Sequence, residues 1–258
     1  MFRLRVNLHG RCADKKGIMK KKIQILIKYK LKELFFYFKL HLFIPQKFLL
    51  LLSHLAEVSR WISNNKKNGM NDFYSIKRNY NKRYELYDYI LRQEEINGDI
   101  DYLEFGVANG NSFKWWLNRI KDDHSRFYGF DTFTGLPEKW GPYNIGDMKP
   151  KGKVPEFHDK RSILINGLFQ KSLNEFLNKY DLKRKKIIHM DADLYSSTSY
   201  VLHSLTPYIR RDDIIIFDEF NVPMHEFKAF SEWTKINYIE YEVIASVNNF
   251  FQVAIKLK

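Results

Sequence analysis

A glycine turn between an apolar run and a helical pattern is the feature that most restricts the fold of this chain. The run ends at Phe105, the turn contains Gly106 and Gly110, and a helix is predicted to start near Ser112, whose hydroxyl suits an N-cap. Glycines let the backbone approach a ligand closely, and a helix N-terminus offers unpaired N–H groups to an anion. The spacing matches neither the dinucleotide fingerprint nor a P-loop. The turn alone therefore predicts a strand–turn–helix unit that can cradle a ligand.

Three further apolar runs each end in acidic residues. These acids are Asp131, Asp191, Asp193, Asp218 and Glu219. The two runs near 186–191 and 213–218 are continuous rather than alternating, which is typical of parallel strands covered by helices on both faces. Open α/β sheets bind ligands at the carboxyl ends of their strands. We therefore predict that the glycine turn and the acids lie along one edge of a doubly wound sheet.

The pattern from residue 99 onward predicts a Rossmann-like, mostly parallel, seven-stranded α/β sheet. Strands are predicted near 100–105, 126–130, 162–166, 186–191 and 213–218, and helices near 112–122, 170–180, 196–209 and 224–235. Residues 238–247 and 250–257 flank Asn248-Asn249 and predict a terminal antiparallel hairpin. The segment 135–161 is rich in proline and glycine, and a connection of that length predicts a lid or binding loop.

Taken in order, these residues resemble class I S-adenosylmethionine-dependent methyltransferases, and more closely the macrocin O-methyltransferase family of sugar O-methyltransferases. The resemblance covers about residues 99–258. It is carried by EFG at 104–106, FKWW at 113–116, YGFDTFTGLP at 128–137, GLF at 167–169, HMDADLYSST at 189–198 and FDEF at 217–220. It implies S-adenosylmethionine as the cofactor and a hydroxyl on a sugar or glycan-bearing molecule as the methyl acceptor.

The resemblance also implies roles for the residues around the turn. The backbone near Gly106 and Ser112, with Gly110 in the same turn, would hold the methionine part of the cofactor. Glu104 would orient the cofactor's amino group or the loop itself. Asp131 would bind the ribose hydroxyls, because a carboxylate accepts two hydroxyl donors well, although a cap of the next turn is the alternative.

The acids at the neighbouring strand ends predict a metal site. Such acids repel one another unless a positive charge lies among them, and a divalent cation with oxygen ligands would supply it. From the family's motif positions, Asp191, Asp218 and Glu219 are the predicted ligands of Mg²⁺ or Mn²⁺. Asp193 is the predicted general base, so Asp191 and Asp193 are the predicted catalytic pair. The family is expected to have Asp-Asp where this chain has Asp218-Glu219. Helix capping or an ion pair stays open for Asp193 and Glu219.

Four further side chains are weighed as structural or functional. His189 lies inside a predicted strand and is expected to be a satisfied core histidine in preference to a base. Trp115 and Trp116 are expected to pack a helix. Trp140, in the long loop, is a candidate for stacking on a sugar or covering the cofactor.

The excess positive charge lies in the first 98 residues, which hold 21 Lys and Arg against 8 Asp and Glu. Residues 99–258 hold 22 of each, so we expect no nucleic-acid partner. We predict a basic helical arm at 1–98, with helices over 19–44, 48–63 and 72–97, before a methyltransferase domain at 99–258. Residues 1–18 are predicted to be an extension or disordered, with Met19 as a candidate native start.

The predicted helix at 19–44 has three open interpretations. It packs on the domain or on a twin subunit, which would make the protein a homo-oligomer, or it lies peripherally on an anionic membrane surface, or it binds an acidic partner. Lysines interrupt its apolar residues, so it is not expected to span a membrane. The single cysteine, Cys12, excludes an internal disulfide and is compatible with a cytoplasmic protein.

Two other functions stay open at this stage. Asp191-Ala192-Asp193 is a D-x-D pattern, which metal-dependent glycosyltransferases use, although that fold would not need the glycine turn. A non-catalytic, membrane-peripheral assembly protein with a methyltransferase fold is the second alternative, and retention of all the acids argues against it.

Overall fold

The computed structural model describes residues 8–150 and 152–258, with side chains from residue 17 onward. The chain divides into two compact units, of which the second is Leu51–Lys258. The division lies within a helix, and the domain boundary predicted at 98/99 falls inside the second unit. Across the described residues, no helix has both the length and the apolar character needed to cross a membrane.

The first unit contains α1 (Leu8–Tyr37), a 3₁₀ helix (Leu40–Phe43) and the start of α2 (Gln46–Asn65). The prediction of one helix up to Pro45 is wrong, because Lys39 adopts a left-handed conformation (φ 49°) after α1 has ended. The predicted extension is helical from residue 8 to residue 18, and its residues 1–7 lie outside the described part of the chain.

The second unit is built on a seven-stranded sheet with the order β3-β2-β1-β4-β5-β7-β6. Its strands are β1 (Ile100–Phe105), β2 (Arg126–Asp131), β3 (Ser162–Asn166), β4 (Lys185–Met190), β5 (Ile214–Phe217), β6 (Tyr241–Val247) and β7 (Gln252–Leu257). Strands β1 to β5 are parallel, and β7 is antiparallel to β5 and β6. The predicted doubly wound sheet with a terminal hairpin is confirmed.

Helices cover both faces of this sheet. They are α3 (Lys82–Gln93), α4 (Asn111–Arg119), α5 (Phe169–Lys179), α6 (Tyr195–Leu205) and α7 (Glu226–Ile236). Apolar residues of α3 and α4 pack in one core cluster, and those of α5, α6 and α7 pack in the other. Every residue of β5 is buried, as its continuous apolar pattern predicted, and every residue of β1 is buried as well, including its two acids. Helix α3 belongs to this core, since Leu86, Tyr87 and Ile90 are fully buried.

The turn between β6 and β7 clamps the chain segment before α3. Asn249 accepts the Ser75 N–H at 2.7 Å and donates its amide to the Ser75 carbonyl at 2.8 Å, while Asn248 accepts the Asn79 N–H at 2.9 Å. In return, Asp72 accepts the N–H groups of Asn248 and Asn249, both at 3.1 Å. These side chains take the backbone groups that a helix would use, so the helix predicted over 72–97 forms only from Lys82 to Gln93.

Arg161, at the end of the long loop, binds the end of α4. Its guanidinium donates to the carbonyls of Leu117 (3.1 Å), Ile120 (2.7 Å) and Asp122 (3.1 Å). It also donates to the Asp159 carboxylate at 2.7 Å. Arg161 is buried, so its loss would leave carbonyl acceptors without a donor.

We therefore expect Arg161→Met, which keeps an apolar stem, to lower the free energy of unfolding by roughly 2–4 kcal/mol in urea denaturation. Arg119→Met is the control, because that arginine is half-exposed in a surface ion pair and should cost below about 1 kcal/mol. The hydrogen bonds from Arg161 lower the pKa of Asp159. The Arg161–Asp159 pair therefore contributes fully to the free energy of unfolding above the ordinary pKa of aspartate. This contribution is lost as the pH falls through the lowered pKa of Asp159. Equal losses in the two variants would contradict the stabilising role of the hydrogen bonds from Arg161 to the end of α4.

Candidate functional site

The sheet register aligns four predicted site residues at one edge. The last residues of β1, β4 and β5 pair side by side. Gly106, Asp191 and Asp218 directly follow these strands, and each donates its N–H to the neighbouring strand at 2.9 Å. Asp131 ends β2, next to β1. The prediction that the glycine turn and the acids share the carboxyl edge is confirmed.

A cavity of about 360 Å³ opens at this edge. The turn after β1 and the end of β2 line one part of it, which we call the turn end: Gly106, Ala108, Asn109 and Asp131. A second part, the acid end, is lined by Tyr80, Asp191, Asp193 and Glu219. Residues 132, 135–137 and 148–149 of the long loop and residues 168–170 complete the wall. The predicted binding loop thus borders the cavity.

Asp131 organises the turn end. Its two carboxylate oxygens accept the N–H groups of Ala108 and Phe133, each at 2.7 Å. These bonds join the turn after β1 to the start of the long loop. A carboxylate offers about four lone-pair sites, so Asp131 keeps acceptor capacity toward the cavity. Its predicted role toward ribose hydroxyls is compatible with this geometry and stays a prediction.

Gly106 is required by the protein backbone itself. It has φ 102°, and a Cβ atom placed on it would lie 1.8 Å from the carbonyl oxygen of Asp191. Sequence analysis attributed this glycine to close approach of a ligand, whereas the structure shows close approach of the chain after β4. Gly106 also lines the cavity, so both requirements meet at one residue.

Gly110 and Ser112 lie outside the cavity lining. Gly110 is the N-cap of α4 with φ 75°, and a Cβ atom there would lie 2.6 Å from the Phe157 ring. The prediction of Ser112 as N-cap is wrong, because α4 begins at Asn111 and places Ser112 in its first turn. Ser112 is buried, and its side chain lies beside Tyr87. The cofactor roles of Gly110 and Ser112 stay predictions.

Glu104 belongs to a buried polar network and does not line the cavity. The Tyr102 hydroxyl donates to Glu104 Oε2 at 2.5 Å and lies 3.0 Å from His189 Nδ1. The Tyr87 hydroxyl lies 3.2 Å from His189 Nε2. His189 is fully buried with a partner at each ring nitrogen, which confirms the expectation of a satisfied core histidine. The role of Glu104 toward the cofactor's amino group stays a prediction.

The acids of the acid end hold protons strongly. Burial, with the neighbouring Asp218 and Asp131, raises the pKa of Asp193 to about 7. Burial, with Asp193 and Asp218, raises the pKa of Glu219 to about 8. Burial and the same neighbours raise the pKa of Asp191 well above its ordinary value. The negative charges destabilise one another, so the site favours a proton or a cation among them.

Asp218 lies behind Tyr80 and is fully buried. The Tyr80 hydroxyl donates to Asp218 Oδ2, and Arg83 Nη1 lies 3.9 Å from the same oxygen. Burial, followed by the charges of Asp191 and Asp218, raises the pKa of Tyr80, so its hydroxyl remains a donor. The Arg83 guanidinium lies 4.2 Å from the Tyr80 ring centroid and holds the ring in place. Sequence analysis missed both residues, because they lie within residues 1–98, outside the predicted methyltransferase domain and about 140 positions before Asp218.

A divalent cation of the Mg²⁺ type needs several oxygen ligands close together, and the acid end offers carboxylate oxygens. In the described part of the chain, one set of histidine and acidic ligand atoms lies mutually within 4.8 Å: those of His189, Asp191 and Asp218. His189 is committed to two tyrosine hydroxyls, which leaves Asp191 and Asp218. Glu219 is not in this set, but it lines the cavity and its Oε2 is buried without a hydrogen-bond partner. Oxygen donors with an orphaned carboxylate oxygen fit a hard cation. The ligand set Asp191, Asp218 and Glu219 stays a prediction.

Glu226 is a further acid that sequence analysis missed. It is fully buried at the start of α7, where its Oε2 accepts the Glu219 N–H at 2.9 Å and its Oε1 has no partner. Burial raises the pKa of Glu226 well above its ordinary value. Acids are common in the first turn of helices, so no sequence signal distinguishes this one. Glu226 fixes the backbone from which the Glu219 side chain reaches the cavity.

The tryptophans divide as follows. Trp116 is fully buried and both Trp115 and Trp116 contact Tyr87, which confirms helix packing. Trp140 stacks on Tyr143 at 5.3 Å and contacts the His225 ring, and it is not part of the cavity lining. Contact of Trp140 with a sugar or with the cofactor stays a prediction.

The chain is similar to known methyltransferases in sequence and in fold. A family model described as a methyltransferase domain matches residues 103–220. The fold is similar to that of CalS11, a calicheamicin methyltransferase (TM-score 0.55, 18% identity, 83% of this chain and 93% of that chain). It is also similar to the O-methyltransferase NovP (TM-score 0.50, 20% identity, 68% of this chain and 77% of that chain). Comparison with curated proteins gives no match. Residues 103–220 therefore match a methyltransferase domain, and the chain shares the fold of these two solved structures.

Proposed function

We propose that this protein is a metal-dependent O-methyltransferase that methylates a hydroxyl of a sugar or of a glycan-bearing acceptor. One observation carries the proposal. The turn end and the acid end, which hold Asp131 and Asp193 respectively, line the same cavity. A methyl donor and a hydroxyl can therefore lie side by side, and such alignment accounts for much of the acceleration in bimolecular reactions.

The turn end is the proposed cofactor site. When bound there, S-adenosylmethionine supplies a methyl group activated by its sulfonium. Asp131 binds the ribose hydroxyls with the acceptor capacity that its two backbone hydrogen bonds leave. The backbone of Gly106 to Asn109 forms the floor beneath the methionine part.

Asp193 is the proposed base. Asp193 lines the cavity, and burial raises its pKa to about 7. Near pH 7 such a carboxylate is deprotonated in a large part of the molecules and is still basic enough to accept a proton. A carboxylate oxygen of Asp193 takes the proton of the acceptor hydroxyl as the oxygen attacks the methyl group. Asp191, Asp218 and Glu219 would hold a divalent cation. When bound, it would orient the acceptor oxygen and lower the pKa of the hydroxyl.

The choice of a sugar hydroxyl rests on the resemblance to macrocin O-methyltransferases at residues 128–137 and 189–198. NovP, which shares the fold, is described as an O-methyltransferase, and this supports oxygen as the atom that receives the methyl group. The polar side chains of the acid end suit an acceptor with several hydroxyl groups.

The test is methyl transfer from labelled S-adenosylmethionine to a panel of nucleotide sugars and glycosylated compounds, with Mg²⁺ and then with a chelator. The proposal expects a methylated product by mass spectrometry that the chelator suppresses. Transfer that is insensitive to chelation would remove the metal from the proposal. Calorimetry with S-adenosylhomocysteine and with a UDP-sugar separates methyl transfer from the D-x-D alternative. Turnover with any hydroxyl acceptor excludes a non-catalytic assembly protein.

Tyr80 provides a test of the metal ligands that needs no acceptor. Its hydroxyl occupies one lone-pair site of Asp218 Oδ2, so it competes with a cation that approaches this oxygen. We expect Tyr80→Phe to bind Mn²⁺ about tenfold more tightly in a paramagnetic titration, because a hydrogen bond to a charged group contributes roughly 1.5–3 kcal/mol. Tyr195→Phe is the matched control, since its hydroxyl donates to Glu232 at 2.6 Å and it does not line the cavity. Unchanged Mn²⁺ affinity in Tyr80→Phe would show that the hydroxyl does not compete with a cation for Asp218 Oδ2.

A further inference from the structure

The side chains described for the first unit, those of residues 17–50, form no buried core. Not one of the residues 17–50 is buried. Nineteen large hydrophobic side chains between residues 18 and 50 are each 37–81% exposed. Residues 51–258 without 151, a stretch six times as long, expose fourteen. We call residues 18–50 the arm. Apolar surface on this scale exceeds what a protein normally leaves in water and indicates a binding surface.

The arm is also strongly basic. It contains eight lysines and a single acidic residue, Glu33. Three lysines are consecutive at 20–22, and Lys28, Lys30 and Lys32 alternate with apolar residues. Lysine can bury its aliphatic stem along apolar surface and extend its ammonium group outward. The lysines are therefore compatible with insertion of their apolar neighbours to the depth of the lipid headgroups, and not with the hydrocarbon centre.

We propose that the arm binds peripherally to a bilayer surface that contains anionic lipids. Interfacial helices combine basic residues with exposed Phe, Leu and Ile side chains, and their binding adds apolar burial to attraction by anionic headgroups. Charge decides against a second copy of the chain as the occupant. Two arms packed together would bring sixteen lysines and two glutamates into one interface, where like charges repel, whereas anionic headgroups complement them.

This proposal is independent of the acceptor and of the metal site. If it holds, the acceptor reaches the enzyme at a membrane surface, so lipid-linked glycans become the acceptors to test first. Failure of the arm to bind lipid would leave the O-methyltransferase proposal untouched.

The experiment is co-sedimentation of the full chain with vesicles of phosphatidylcholine alone and with vesicles that also contain phosphatidylglycerol. Three variants are compared with the wild type. The charge variant is K20Q/K21Q/K22Q/K28Q, the apolar variant is L42S/F43S/L49S, and the matched control is K114Q/K153Q/K171Q/K179Q. The control removes the same charge from exposed positions of the second unit. None of the replaced side chains is buried, and binding of S-adenosylhomocysteine reports that the second unit remains folded.

The expected result is binding to the anionic vesicles alone, weakened by added salt. The charge variant should bind roughly 600-fold more weakly, because each of its four lysines contributes about a factor of five near an anionic surface. The apolar variant should also lose binding, and the control should stay within a few-fold of the wild type. Equal losses in the charge variant and the control, or no vesicle binding at all, would overturn the proposal. A dimer in light scattering that the apolar variant dissociates, without lipid binding, would assign the arm to a second copy.

Discussion

Gly106→Ala is expected to lower the free energy of unfolding by roughly 3–5 kcal/mol, a large part of the stability of an average domain. Two effects act together at this position. Alanine is strained at φ 102°, and its Cβ atom would lie 1.8 Å from the Asp191 carbonyl oxygen. Because that oxygen is backbone beside the central strands β1 and β4, relief requires the strands to move apart. Urea denaturation monitored by tryptophan fluorescence measures the change.

Gly152→Ala separates the two effects. Gly152 has φ 109°, close to that of Gly106, but an added Cβ atom has no neighbour within 4 Å. This control should therefore show only the backbone strain, roughly 1–2 kcal/mol. The clash predicts that Gly106→Ala is clearly the less stable of the two and that it also binds S-adenosylhomocysteine poorly. If the two variants unfold at the same urea concentration, the contact with Asp191 does not restrict the strands.

Asp191→Ala and Asp131→Ala are expected to fail in opposite ways. Asp191→Ala should lower the turnover of any acceptor at least a hundredfold, because the proposed cation loses a ligand and the base Asp193 loses its neighbour. Its affinity for S-adenosylhomocysteine should stay within a few-fold of the wild type. Asp131→Ala removes the bonds to Ala108 and Phe133, and its affinity for S-adenosylhomocysteine should fall at least tenfold.

Calorimetry of both variants with S-adenosylhomocysteine, in the presence of Mg²⁺, checks this division of the cavity. The wild type and each variant are first compared by circular dichroism, so that unfolding is not read as a loss of binding. An Asp191→Ala protein that keeps full turnover in metal-depleted buffer would falsify the assignment of Asp191. Loss of cofactor affinity in both variants would mean that the two ends of the cavity do not act separately.

The carboxyl edge was predictable because its signals are local. Strands β4 and β5 are short, mostly apolar runs, and the residue directly after each is an acid of the candidate site, Asp191 after β4 and Asp218 after β5. Parallel pairing then fixes the row without any further information. The same local signals located all seven strands to within three residues of their observed ends.

The parts that escaped prediction depend on distant contacts. Tyr80 and Arg83 are part of the site only through their contacts with Asp218, and no sequence pattern near either residue predicts these contacts. Glu226 resembles an ordinary acid at a helix start until its burial is known. Gly110 and not Ser112 is the N-cap of α4, and it has to be a glycine because Phe157 of the long loop packs where a side chain at 110 would lie.

The clamp between the β6–β7 turn and residues 72–79 has a consequence for biosynthesis. Ser75 and Asn249 are 174 positions apart, so their hydrogen bonds cannot form until Asn249 and all the residues between the two have left the ribosome. A nascent chain that has already paired β1 with β4 holds the glycine turn, yet the segment that carries Tyr80 is still untethered. The wall over Asp218 is thus assembled after the glycine turn, and a protein truncated before the β6–β7 turn would keep the glycine turn without this wall.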